Sequence, residues 1–373
     1  MEERFGSNPW PTPSQEFSRS SQPAALHFSS PALLPRNSQR IWPALLTLYL
    51  LAPLIGEGLS GSTPPLMFLH NPFNLLYQPA LYGSGAILVR ELVRRRGLGW
   101  GSILLLGAAY GILEEGLVVT SWFNPYWPDL GLLASYGRLL DTSWVWAVGL
   151  TIYHAVVSIT LPIILTEALF PSIAAQPWLR KRGLRVVTVW LTLISLLGLL
   201  GFGFLAFRKQ GYVHPPLMYL GAVFLAMAFV WWGLHLSPKL PVVAASAAVP
   251  GPWRLRVGAF AATCAFFFLL WAAPYLIAFP IVLVAVMIAL VVLASRWVAR
   301  WSRRAGWGPS QRVALTSGVL CFFILLSPLI EFGATSGRKI TAGQTLFGLI
   351  FLVALIWLAW RVKRQPAQQV GAM

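Results

Sequence analysis

The chain has 373 residues, of which 57% are hydrophobic and 10% charged, against about 25% charged in an ordinary soluble domain. Apolar runs of about 20 residues recur along it, each long enough to cross a hydrocarbon core of roughly 30 Å. This excludes a soluble globular protein. It also excludes a nucleic-acid binder, because the net charge of +17 comes from short basic clusters set between apolar runs, as in the cytoplasmic loops of a polytopic membrane protein.

Residues 1–39 are rich in Pro and Ser and lack apolar periodicity, so they read as a disordered cytoplasmic tail. They do not read as a signal peptide, since no charged start leads directly into an apolar stretch and a small-residue cleavage site. His27 lies in this tail and takes no role. Ten helices are expected after it, at about 41–57, 73–91, 100–121, 143–169, 186–207, 215–236, 255–275, 277–296, 312–332 and 341–361. As one helix, the run from Leu255 to Ser295 would measure about 60 Å, twice the bilayer core. Pro274 and Pro280 mark where it turns into a hairpin. The fold class expected is an all-α polytopic transmembrane bundle of about ten spans. It divides into an N-terminal membrane core (40–171, helices one to four), a C-terminal bundle (172–365, helices five to ten) and a short tail (366–373).

With the N-terminus inside, 23 of the 28 basic residues fall in cytoplasmic segments. The outer loops hold only Arg138, Arg208, Lys209, Arg338 and Lys339. The positive-inside rule therefore places both termini in the cytoplasm. Cys264 and Cys321 both lie in apolar runs, where buried free thiols are expected rather than a disulfide or a zinc site.

This topology gives the unusual polar residues a height. Glu57 falls about 24 Å above the inner boundary, and Glu114 about 21 Å. His154 lies about 15 Å deep, close to the midplane. Glu331 stands at the outer edge, and His70 and His214 in outer loops. The stretch "AAYGILEEGLVVTSWFNP" puts Glu114 and Glu115 where no Lys or Arg lies between Arg96 and Arg138. A carboxylate in hydrocarbon is costly and faces the bundle interior or a wet cavity. Neighbours on an α-helix project about 100° apart, so the two acids should not point the same way. Gly107 and Gly111 form a small-residue face that admits a close neighbour, and Thr151, His154 and Ser158 form a polar stripe on the fourth helix. Packing one against the other brings Glu114 or Glu115 to His154; protonation of one acid is the other way to lower its cost. Trp122, Phe123, Tyr126, Trp127, Tyr136 and Trp144 in the following loop read as an outer aromatic belt, with a lid over a cavity as the alternative; Asp129 and Asp141 read as loop caps. Glu91 and Arg95 read as an ordinary i,i+4 ion pair, Glu167 as interfacial, and His235 as a residue near an inner helix end.

A double glutamate on one span followed by a histidine on another resembles the CPBP superfamily of CAAX-protease-like membrane proteins, whose motifs read Glu-Glu-xxx-Arg and Phe-xxx-His. Glu114-Glu115-Gly116-Leu117-Val118 carries the acids, with Val119 where that family has Arg. Leu150-Thr151-Ile152-Tyr153-His154 carries the histidine, with Leu150 where it has Phe. The stretches "GSTPPLMFLHNPF", "YGSGAILVRELVRR", "YGILEEGLVVTSWFNP" and "YHAVVSITLPIILTEALFP" are also similar to a set of uncharacterised prokaryotic membrane proteins, and imply the cytoplasmic (inner) membrane. The first resemblance implies an intramembrane peptidase with Glu114, Glu115 and His154 as catalytic groups: one glutamate activates water, and His154 orients it or polarises the scissile carbonyl. Two other readings stand beside it. In one, the same groups are the proton or cation site of a coupled transporter. In the other, they only fix helix packing in a non-catalytic scaffold. The partners expected are the lipid bilayer and a membrane peptide or small-molecule substrate. The sequence names no cofactor, and a metal would have only the glutamate pair and His154 as ligands.

Overall fold

The computed structural model describes residues 41–206, 211–213, 215–236, 248–333 and 340–364. The tails at 1–39 and 366–373, together with Arg40, Arg208, Lys209, His214, Lys239, Arg338 and Lys339, lie outside the described residues.

The described chain is almost entirely helical. In order it runs α1 (Ile41–Leu59), α2 (Pro65–His70), α3 (72–95), α4 (Trp100–Val118), α5 (Trp144–Leu169) and α6 (Lys181–Leu205). Then follow α7 (Pro216–His235), α8 (Pro252–Tyr275), α9 (Pro280–Trp301), α10 (Pro309–Gly333) and α11 (Gln344–Arg364). A two-stranded antiparallel pair, β1 (Arg138–Leu139) and β2 (Thr142–Ser143), sits in the loop before α5. The expected hairpin is present: α8 ends at Tyr275 and α9 begins with Pro280 in its first turn, where a missing N–H costs nothing.

Nine of the described helices are long and apolar enough to cross a membrane, one fewer than expected. The exception is α3. It carries Asn74 and Gln78 and ends in Arg90, Glu91, Arg94 and Arg95, so its apolar stretch is diluted at both ends.

Between helices in lipid the hydrophobic effect does little, and small residues decide how close two backbones come. Gly107 and Gly111 on α4 lie against α5. A Cβ on Gly111 would sit 2.9 Å from the Cβ of His154 and 3.2 Å from the Cα of Thr151.

The C-terminal ends of α3 and α5 are tied by a buried ionic network. Arg90 Nη1 donates to Glu91 (3.0 Å), and Arg90 Nε lies 3.2 Å from Glu167. Arg94 meets Glu167 with two hydrogen bonds, 2.8 and 2.6 Å. Glu91 also accepts from the backbone N–H of Trp178 (2.7 Å) and Leu179 (3.0 Å), while Arg90 stacks on the Trp178 ring at 3.3 Å. The expected i,i+4 pair of Glu91 with Arg95 is present at 3.5 Å, although Glu91 is buried and serves the wider network as well. One expectation is corrected: Glu167 is buried rather than interfacial. Both acids lose water but gain guanidinium partners, the arrangement that makes burial tolerable.

Candidate functional site

Glu57, Tyr82, Glu114, Glu115 and His154 come from four different helices, yet each lies on a π-helical turn. These are Leu54–Leu59, Pro79–Gly83, Ile112–Val118 and His154–Thr160. A π turn inserts one residue into an α-helix, closes i→i+5 hydrogen bonds and re-aims the side chains around it. Glycines stand at or beside three of these turns (Gly56 and Gly58, Gly83, Gly111 and Gly116), where the backbone departs easily from the α-helical ladder.

The consequence is clearest at the glutamate pair. Both acids reach the same imidazole, one from each side. Glu114 Oε2 lies 3.0 Å from His154 Nδ1, and Glu115 Oε1 lies 3.1 Å from His154 Nε2. The expectation that only one acid could face His154 assumed α-helical spacing; the wider turn removes that limit. Ser158, one turn along α5, lies 3.0 Å from Nδ1 through its Oγ. Glu114, Glu115 and His154 are 5%, 7% and 1% exposed.

Three further arms extend the cluster. Tyr82 places its hydroxyl against Glu57 Oε1 (2.6 Å) and against Glu114 Oε1 in a short contact. A phenol has one hydrogen to give, so one of these contacts needs a hydrogen from a carboxyl group. Glu57 Oε2 accepts from Thr63 Oγ1 (2.8 Å), which in turn accepts from Gln78 Nε2 at 3.4 Å. Glu115 Oε2 accepts a short hydrogen bond from Ser121, whose oxygen is held by Trp146 Nε1 at 2.9 Å. Ser121 is brought there by Thr120, a buried β-branched residue at φ 57°. That left-handed conformation is a true outlier for threonine, and such strain persists where the surroundings impose it.

One of the six carboxylate oxygens differs from the rest. Glu57 Oε1 and Oε2, Glu114 Oε1, and Glu115 Oε1 and Oε2 each have a hydrogen-bond partner. Glu114 Oε2 is buried within ion-pair distance of His154 yet has no well-directed hydrogen bond. No Lys or Arg pairs with any of the three acids among the described residues. One donor oxygen each from Glu114 and Glu115 and one ring nitrogen of His154 lie within 4.8 Å of one another, close enough to be gathered by a metal ion.

The sequence reading placed Glu57 in the same layer as the pair but did not connect it to them. Tyr82, Ser121, Thr63 and Trp146 were not found. A tyrosine inside an apolar run looks like core packing, and only the glycines around "ALYGSG" hint at an irregular turn. Trp122 and Phe123, expected in an interfacial belt, are buried instead; the Trp122 ring lies over Gly116, where an added Cβ would meet it at 3.1 Å. Tyr126 and Trp144 remain exposed.

The support of the site reaches the end of the chain. Gln344 Nε2 donates to the carbonyls of Gly58 (3.0 Å) and Leu59 (3.2 Å), on the π turn that carries Glu57. Glu331 accepts from the N–H groups of Gly343 (2.8 Å) and Thr345 (2.7 Å) and so fixes the start of α11.

An all-α bundle of spans around a buried acid–imidazole cluster defines a polytopic membrane protein with a polar intramembrane centre. The chain belongs to an uncharacterized membrane protein family, whose profile matches residues 45–368. No curated protein and no solved structure matches it.

Proposed function

We propose that the protein is an intramembrane hydrolase of the peptidase class. It sits in a prokaryotic cytoplasmic membrane with both termini inside, which takes α3 (72–95) as a tenth crossing despite its polar ends, and Glu114, Glu115 and His154 are its catalytic groups. The observation that carries this reading is the buried Oε2 of Glu114, which accepts no well-directed hydrogen bond although it lies 3.0 Å from His154 Nδ1. A general base needs one lone pair open to water and the rest of its carboxylate held still. Tyr82 holds Oε1, with Glu57 giving the second hydrogen that this phenol contact requires. Water at Glu114 Oε2 passes a proton to the carboxylate as its oxygen attacks the scissile carbonyl carbon. His154, protonated, donates from Nδ1 to the developing oxyanion, while Glu115 accepts from Nε2–H and fixes the ring. The proton on Glu114 then goes to the leaving amine. Substrate reaches the site from the lipid side, where a groove of about 290 Å³ lies against the α4 π turn at Leu113, Leu117 and Val118, with Leu191, Ser195 and Leu199 of α6 opposite.

The test is profiling of new N-termini in membranes from cells that overproduce the protein. Termini that appear with the parent and vanish with Glu114→Gln, at equal abundance, support the reading. Identical termini with both proteins refute it.

A proton-coupled transporter is the second reading. It is favoured by the unbroken chain of polar contacts from Thr63 through Glu57, Tyr82, Glu114, His154 and Glu115 to Ser121. In proteoliposomes it requires Tyr82→Phe to slow proton entry under an imposed pH gradient.

A further inference from the structure

We infer that Glu114, Glu115 and His154 bind one divalent cation of the zinc–manganese class. The inference concerns the same site as the hydrolase reading but does not rest on hydrolysis; with the ion bound, His154 would be a neutral ligand and the ion would take the place of the imidazolium in polarising a carbonyl.

Charge is the first argument. Three carboxyls and one imidazole share a buried site with no Lys or Arg partner among the described residues. With Glu57 protonated, as the shared Tyr82 contact requires, and His154 neutral, as a metal ligand must be, Glu114 and Glu115 leave two negative charges uncompensated. Burying such charge is costly unless it is paired or coordinates a metal. The cluster thus needs two more positive charges, and one divalent ion supplies both.

Geometry is the second. The three donor atoms lie within 4.8 Å of one another, and tetrahedral coordination at about 2.0–2.2 Å holds two ligands about 3.3–3.6 Å apart. The gap closes when the facing side chains converge by about an ångström. Every ligand also has an outer partner that would hold it: Tyr82 for Glu114, Ser121 backed by Trp146 for Glu115, and Ser158 for His154. Metal sites are built this way, with outer hydrogen bonds that orient the inner ligands.

The third argument is independent of the acids. Tyr110 stands edge-on to Tyr82 and His154, with ring centroids 5.8 and 6.3 Å away, and it is 4% exposed. Its hydroxyl has no hydrogen-bond partner, although it lies within electrostatic range of Glu114, Glu115 and Glu57. A buried donor left unpaired at the edge of the acid cluster calls for a partner that the described residues do not supply, and a water on the metal would be one. Two carboxylate oxygens with one imidazole nitrogen suit Zn²⁺ or Mn²⁺ rather than the all-oxygen preference of Mg²⁺ and Ca²⁺.

The experiment uses the full chain purified in detergent, stripped with a chelator and returned to Zn²⁺ or Mn²⁺. Bound metal is read by elemental mass spectrometry and stability by thermal unfolding. The parent is expected to take up about one ion per chain and to unfold at higher temperature with it. Glu115→Gln and His154→Ala are expected to lose the ion. Ser121→Ala spares the ligands and is expected to weaken metal affinity about 10–100-fold, which keeps the test valid if a ligand variant does not fold. A monodisperse parent that holds less than a tenth of an ion per chain overturns the inference. So does uptake unchanged in all three variants, or Mg²⁺ bound as tightly as Zn²⁺. Metal binding without any cleavage sinks the hydrolase reading alone, and cleavage by a parent that takes up less than a tenth of an ion per chain from Zn²⁺ or Mn²⁺ buffer sinks the cation site alone.

Discussion

Tyr82→Phe is the most informative single change. It removes one oxygen and leaves a ring that still packs against Tyr110 and His154 at 5.8 and 5.9 Å. The lost hydroxyl serves both Glu57 and Glu114. Removing the partner of a buried polar group costs about 1–3 kcal/mol, and more when that group is charged. The two acids draw on a single phenol, so the costs do not simply double, and about 2–4 kcal/mol is expected. At roughly 2–4 °C per kcal/mol for a large domain, the unfolding midpoint in detergent should fall by about 5–15 °C. Glu57→Gln measured alone and with Tyr82→Phe completes a double-mutant cycle, in which residues of one network couple by about 0.5–3 kcal/mol. A midpoint within 2 °C of the parent, or strict additivity in the cycle, would refute the claim that this phenol joins the two acids.

Gly111→Ala should destabilise by about 1–3 kcal/mol, since a methyl there must push back His154 or the α5 backbone; chemical unfolding of the purified protein checks it. Glu91→Gln weakens the hold on Arg90 and on the N–H groups of Trp178 and Leu179. Faster amide exchange confined to 173–180 is the expected readout, and unchanged protection there would contradict it. Gln344→Leu removes both hydrogen bonds to the carbonyls of Gly58 and Leu59, at a cost of about 1–3 kcal/mol for each buried acceptor left unpaired; the thermal midpoint should drop and be partly regained with Gln344→Asn only if the shorter amide still reaches. Tags fused to either end should be reached by impermeant protease only from the cytoplasmic face, and access to one end from outside would undo the assigned topology.

The helices were legible because a bilayer enforces them: each run of apolar residues must satisfy its own backbone, and only its length is left to read. The nearness of Glu57, Glu114 and His154 was legible too: the sequence put them in one layer, and the three join in one cluster. The pairing of α4 with α5 followed from Gly107 and Gly111 facing the Thr151–His154–Ser158 stripe. Side-chain direction at the centre was not legible, because it is set by π turns and the reading assumed 3.6 residues per turn throughout. The burial of Glu91 and Glu167 escaped the sequence for another reason. Their burial depends on a chain segment, 173–179, folding back over α3, which no local pattern in α3 or α5 announces. The aromatics after Glu115 divide by the strained turn at Thr120, which tucks Trp122 and Phe123 inward while Tyr126 stays outside.

Gln344 gives the fold a timetable. Its amide arrives some 190 residues after His154, yet it completes the hydrogen bonding of the turn beneath Glu57. During synthesis the ribosome must therefore deliver the start of α11 before the polar centre is finished. A nascent chain paused short of the last helix carries every acid and the imidazole, but not the strut that seats them.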